Sequence, residues 1–209
     1  MKNKLLLIGG GGHCRSVLDC VLSLAEYDEI GIIDNSDCSC LGIPVIGKDE
    51  DIPELIKSGW NNAFITVGSV GNTKIRRKLF KMLIDLKINI PVIVDPTAII
   101  ARGVDIGQGT FIGKRAVVNS NSVIGECAII NTGAIIEHDC VVGDFSHISP
   151  GSVVCGGVNI GSDSHIGAGT VIRQQISVGS NSLIGVGSVV VKDIGDNIKA
   201  YGNPCRAVE

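Results

Sequence analysis

Aromatic side chains are scarce: one Trp, two Tyr and four Phe in 209 residues, 3% of the chain. That excludes an ordinary core packed on large rings. Charge of one sign is missing too, with 18 Lys and Arg against 21 Asp and Glu. Residues 1–94 hold 11 basic and 11 acidic side chains, the rest 7 and 10. No basic face emerges, so nucleic acid is not an expected partner. Long apolar runs are also lacking. Leu5–Ile8 near the N-terminus is too short for a signal peptide or a membrane span. No membrane insertion is expected, and the expected compartment is the cytoplasm, with thiols reduced. Eight cysteines stand at 14, 20, 38, 40, 127, 140, 155 and 205. Cys38 and Cys40 form a C-x-C pair, but no second Cys/His pair follows at zinc spacing, so no metal is expected. The cysteines read instead as small fillers. Glycine is what abounds, 28 residues, about twice average usage. With 44% apolar content the chain is not disordered. Small residues with much Val and Ile suggest tightly wound β structure.

From Val94 onward every sixth residue is a branched aliphatic, through Ile100, Ile106 and Ile112 to Ile184 and Val190, 17 positions without a miss. The residue after each anchor is often Gly or Asn, including Gly107, Gly125, Asn131, Gly143 and Gly161. Those types tolerate positive φ, as a turn after each short strand would need. Two positions before each anchor the residue is usually small, for example Thr110, Ser122, Ala134, Ser146 and Ser164. Each hexad then reads as one strand and one turn, able to bury its anchor only against a neighbour, which is a solenoid. If three hexads close a coil, residues three hexads apart should stack at one inter-strand spacing of about 4.8 Å.

The first third reads as alternating strand and helix, hence a parallel sheet. Strands are expected at Lys4–Ile8, Glu29–Ile33, 42–47, Ala63–Val67 and Pro91–Val94, with a domain boundary at Asp95-Pro96. Helical faces are marked by Val17, Leu18, Val21 and Leu22, and by Ile75, Leu79, Leu83 and Leu86, with a shorter helix over Asp51–Lys57. Ligands of such sheets lie at the carboxyl ends of strands, here Gly9–His13, Asp34-Asn35 and Gly68–Asn72. The Gly9–Gly12 run lacks the third glycine of a dinucleotide fingerprint. Its backbone N–H groups at a helix start still suit a phosphate. A mononucleotide or sugar nucleotide fits better than NAD; a tight turn without ligand is the alternative. The Lys74–Lys78 run, with Arg76 and Arg77, reads as a solvated helix face, or as a phosphate contact through Arg76.

Three segments carry a resemblance: Gly9–His13, then Ile136-Glu137-His138-Asp139-Cys140 with Phe145-Ser146-His147-Ile148-Ser149, then Tyr201-Gly202-Asn203-Pro204-Cys205-Arg206. In this order they resemble the NeuD/PglD-type sugar O/N-acetyltransferases over essentially the whole chain. The resemblance implies an α/β half-Rossmann domain (1–95) that binds a sugar nucleotide, followed by a left-handed parallel β-helix acetyltransferase domain (96–209). It implies a homotrimer with sites between subunits and acetyl-CoA as donor. It makes His138 the general base and Asp139 its acidic neighbour. It places His147 near the thioester, Gly156 near it with a backbone N–H, and Ala168 and Val186 along the CoA channel. Gly11, Gly12 and His13 match the phosphate loop of the acceptor nucleotide, and Asp34 and Asn35 the segment near its base or ribose. Family members on aminosugars often carry two carboxylates where this chain has Asp34-Asn35.

The expected reaction is transfer of acetyl from acetyl-CoA to the amino group of a nucleotide-linked aminosugar. Within the family the alternative is O-acetylation of a sialic acid or related sugar. From other classes come a zinc carbonic anhydrase-like lyase, disfavoured by histidines at 138, 147 and 165, and a non-catalytic sugar-nucleotide-binding solenoid. His165, three hexads beyond His147, is expected to stack one coil away, and Glu137 to be a solvated turn charge.

Overall fold

A computed structural model describes residues 2–36 and 39–208. Cys38, one half of the C-x-C pair, lies outside them.

The N-terminal sheet runs β3 (Ser39–Cys40), β4 (Ile43–Gly47), β2 (Glu29–Ile33), β1 (Lys4–Ile8) and β5 (Asn62–Ile65). Pairing is parallel except in the β3–β4 hairpin. Leu5, Leu6 and Leu7 are all fully buried, because a central parallel strand is covered on both faces. Helix α1 (Gly12–Leu24) follows β1, α2 (Ile52–Lys57) follows β4, and α3 (Lys74–Asp85) follows β5. The chain leaves α1 through Ala25 in the left-handed region at φ 52°.

The strand expected at Pro91–Val94 forms as β6 (Ile93–Val94) but does not join this sheet. It pairs with Phe111–Ile112 and is the first rung of the solenoid. From there short parallel strands wind in three sheets, each strand pairing with its equivalent three hexads on, as Val117 does with Ile135. The first face holds Ile99–Ile100, Val117–Val118, Ile135–Ile136, Val153–Val154, Val171–Ile172 and Val189–Val190. The second runs from Asp105–Ile106 through Val141–Val142 to Ser177–Val178. The third begins with β6 and includes His147–Ile148, His165–Ile166 and Leu183–Ile184, ending in an antiparallel return of Arg206–Ala207 on Lys199–Tyr201. The anchors from Ile112 to Val190 are all buried.

The glycines after the anchors have a different cause from the one expected. Positive φ falls three residues after each anchor from Ile100 to Ile184, at Gly103, Arg115, Cys127, Asp139, Phe145 and onward every six residues to Gly187. The glycine directly after an anchor answers crowding instead. A Cβ at Gly143 would stand 2.5 Å from the Ser162 nitrogen of the next coil, and Gly107, Gly125, Gly161 and Gly179 are crowded in the same way. All five turn the corner from second to third face. The small row also does more than fill space. The hydroxyls of Thr110, Ser122, Ser146, Ser152 and Ser164 donate to carbonyls 15 residues ahead at 2.6–2.9 Å. They thereby satisfy corner carbonyls inside a core that water does not reach.

The third face packs against the N-terminal domain: Phe111 and Ile129 join the core of Leu5, Leu7 and Phe64. Among the described residues, no helix or strand from outside the solenoid lies on the first or second face.

Candidate active site

His138 lies on the corner between first and second faces. Its Nδ1 donates to Asp139 Oδ2 at 2.7 Å, since a carboxylate can only accept. That fixes the tautomer with Nε2 unprotonated in the neutral ring. Asp139 occupies the left-handed turn position at φ 58°, which Asp tolerates better than most residues. Its second oxygen accepts from Asn121 Nδ2 at 3.4 Å. The His138 hydrogen bond, then Asn121, hold the Asp139 carboxyl below its ordinary range. Both side chains are exposed. Glu137 is not the orienting acid, since it is Asp139 that meets the ring. Gly156, one coil further on, is the floor beneath the imidazole: a Cβ there would lie 2.7 Å from both Cε1 and Nε2.

The structure distributes the remaining expected residues. Ala168 and Val186 form a row on the corner between third and first faces, Val186 being 78% exposed. They therefore sit across the full width of the first face from His138. His147 is on the third face, at the junction with the N-terminal domain. Its Nδ1 donates to the Ser69 carbonyl at 3.1 Å and its Nε2 faces Asn131 Nδ2 at 3.2 Å. Both ring nitrogens are thus engaged, and burial lowers its pKa to about 4. The His165 ring packs edge-on against it, centroids 4.9 Å apart. This is the expected stacking, and His138 does not converge with them within one chain. Among the described residues no group of three or more His, Cys, Asp or Glu side chains could hold a metal ion.

At the carboxyl ends of β1, β2 and β5 a cleft of about 180 Å³ is lined by Gly9, Asp34, Asn35, Asp49, Val67 and Ile75. Asp34 ties its rim together, accepting from the Gly10 N–H at 2.6 Å and from Ser36. The Ser36 hydroxyl, then the Gly10 amide, hold its pKa down. Gly11 caps α1, and a Cβ on Gly11 or Gly12 would touch nothing within 4 Å. The space above the helix start is open, with free approach to a dipole that favours anions. The His13 side chain points the other way, edge-on to Phe111 at 5.4 Å, and burial, then Arg76, lower its pKa to about 3.

Asn121 is a residue that sequence alone did not single out; it stands one coil before Asp139, so the coil register carried the signal. Ser69 fell within the expected strand-end segment Gly68–Asn72 and Asn131 read as a turn residue, but nothing in the sequence joined either to His147. The basic run of α3 is not a solvated face throughout: Arg76 is 2% exposed and turned away from the cleft, and Arg77 pairs with Asp163.

Residues 4–83 match the PglD N-terminal domain family, and 150–174 and 175–199 match the hexapeptide repeat of succinyl-transferase. No curated protein matches. Among solved structures, the acetyltransferase domain of PglB from Neisseria gonorrhoeae, in complex with acetyl coenzyme A, is 36% identical over the whole of both chains, with a TM-score of 0.91. PerB from Caulobacter crescentus, in complex with CoA and GDP-perosamine, is 31% identical over 99% of this chain and 98% of that one, with a TM-score of 0.94. WeeI from Acinetobacter baumannii is similar in fold, with a TM-score of 0.87 over 98% of this chain and 99% of that one at 24% identity. The solenoid is accordingly the left-handed parallel β-helix of hexapeptide-repeat acetyltransferases, and the chain belongs to the NeuD/PglD family of sugar acetyltransferases.

Proposed function

We propose that the chain transfers acetyl from acetyl-CoA to the amino group of a nucleotide-linked aminosugar, with His138 as general base. The observation that carries this is the His138–Asp139 pair, its free Nε2 presented at an exposed corner of the β-helix. The amine nitrogen attacks the thioester carbonyl, and His138 Nε2 takes the proton the amine must lose. Asp139 holds the ring and stabilises the imidazolium. The Gly156 N–H is the assigned donor to the oxyanion. When the tetrahedral intermediate collapses, the C–S bond breaks and the imidazolium returns its proton to the CoA thiolate. Gly11 and Gly12 at the start of α1 take the nucleotide phosphates, with Asp34 and Asn35 beside the nucleoside. His147, with both nitrogens engaged, serves as a wall of the site rather than as a second base.

The site is shared between subunits of a homotrimer. Outward side chains Ile99, Val117, Ile135, Val153, Val171 and Val189 form an apolar ladder along the first face, which no other described element covers. His138 edges that face on one side, Ala168 and Val186 on the other. A second copy laid on it buries the ladder and brings the CoA row of one subunit to the base of its neighbour. Light scattering at micromolar concentration should give three chains; a monomer would refute the shared site. The reaction is tested by incubating acetyl-CoA with UDP-, GDP- and dTDP-linked 4-amino sugars. Thiol release with a gain of one acetyl group on one of them is expected, and no turnover on any would refute the reading.

A further inference from the structure

Helix α3 touches both halves of the molecule. Ile75 and Leu79 line the cleft at the strand ends, while Thr73, Arg76, Arg77 and Phe80 face the β-helix. There they meet three turns stacked on successive coils, at Cys127, Phe145 and Asp163, all in the left-handed conformation. The Arg76 guanidinium donates through Nη2 to the Cys127 carbonyl and through Nη1 to the Phe145 carbonyl at 3.2 Å. Nη1 also lies 3.4 Å from Ser69 Oγ, the residue whose own carbonyl holds His147. Arg77 grips Asp163 with two bonds of 2.6 and 2.7 Å, Thr73 donates to the same carboxylate, and the Phe145 ring lies under both guanidinium groups.

Arg76 is a poor choice for stability alone. Among the described residues it makes no ion pair, its Nε has no partner, and burial lowers its pKa to about 10. A buried cation without a paired carboxylate is costly, and an apolar side chain is often as good or better. What arginine supplies is a rigid planar fork that puts a separate nitrogen on each of two carbonyls, a preorganisation that a lysine ammonium on its flexible stem lacks.

We propose that Arg76 is a positioning residue for the acetyl transfer: by clamping α3 and the Ser69 loop to two successive coils, it fixes where the nucleotide cleft delivers its amine. The inference rests on the proposed reading as a nucleotide-aminosugar acetyltransferase. Displacing a reacting group by about 1 Å can cost roughly 10²-fold without changing what binds.

The test compares Arg76→Met and Arg76→Lys with wild type. Calorimetry with UDP or GDP alone and with CoA should give dissociation constants within about threefold of wild type. With a nucleotide aminosugar both variants should lose roughly 10²-fold in kcat with little change in either KM. Hydrogen exchange should show the first turns of α3, residues 77–80, less protected while the coils keep their protection. Full kcat in either variant overturns the proposal, whatever happens to thermal stability, and so does unchanged exchange at 77–80. If Arg76→Met does not fold, Arg76→Lys decides alone. A wild-type enzyme inert on every nucleotide aminosugar, with nucleotide binding and the exchange effect intact, would instead mark failure of the proposed reaction and leave the clamp supported.

Discussion

A methyl group added at Gly156 would stand 2.7 Å from Cε1 and Nε2 of His138. Carbon–carbon and carbon–nitrogen contacts settle near 3.5–4 Å, so the ring must move by about 1 Å. It has only one way to go. The floor is backbone, whose amide at Gly157 donates to the His138 carbonyl at 2.9 Å and whose Gly156 carbonyl accepts from Gln175. The ring must therefore swing outward and stretch the 2.7 Å bond to Asp139. A general base contributes about 10²–10⁴-fold, and a shift of this size forfeits about 10²-fold. Gly156 does not have positive φ, so alanine fits the backbone and should stabilise by a few tenths to about 1 kcal/mol through the unfolded state. Gly156→Ala should thus fold with an unchanged or higher Tm by differential scanning fluorimetry. Its kcat, read as CoA thiol release at saturating substrates, should fall about 10²-fold. A variant with unchanged Tm and kcat within about threefold of wild type would refute the account of the platform, because that loss corresponds to less than about 1 kcal/mol.

Gly11→Val should still fold, since a Cβ there meets nothing, with a small loss of Tm because valine is a poorer helix N-cap than glycine. It should raise the acceptor KM strongly and the acetyl-CoA KM little; equal effects on both would make the loop structural. Asp139→Asn keeps the shape but removes the charge that orients the ring and stabilises the imidazolium, so kcat should drop with little change in either KM. An unchanged kcat on the same acceptor would mean that Asp139 only holds the turn. His147 and His13 are depressed to about 4 and about 3 by burial, from about 6.5 when unfolded. The unfolded chain then binds more protons at low pH, so their contribution is fully present above pH ~6.5 and is lost as pH falls toward 4. Each adds at most about 1.4 kcal/mol per pH unit to the slope. His147→Gln should flatten Tm against pH across that window, and an unchanged slope would contradict the burial of His147.

The sequence made the solenoid legible because one anchor per hexad must be buried and no loop interrupts the count. It misled on the glycines after the anchors. Backbone freedom and crowding leave the same residue type behind, and only the coil register shows that Gly143 faces the Ser162 amide. Ile93–Val94 looked like a strand of the N-terminal sheet because a short apolar pair does not say which sheet it joins. At the site, His138 and Asp139 were legible as neighbours in sequence, and Gly156 through the resemblance alone; that it lies beneath the His138 ring needed the coil register. Arg76 was not. Charged residues on a helix of one domain read as solvated until the other domain is in place, and its partners are carbonyls that any sequence supplies.

The most direct test of the central claim is kcat of His138→Ala on the nucleotide aminosugar that wild type acetylates, with acceptor and acetyl-CoA binding measured alongside. An exposed turn position accepts alanine, so the fold and both dissociation constants should hold. The expected kcat is lower by about 10²–10⁴-fold. More than about a tenth of wild-type kcat, with both substrates still bound, would contradict His138 as the base, since a positioned proton acceptor contributes at least about 10²-fold.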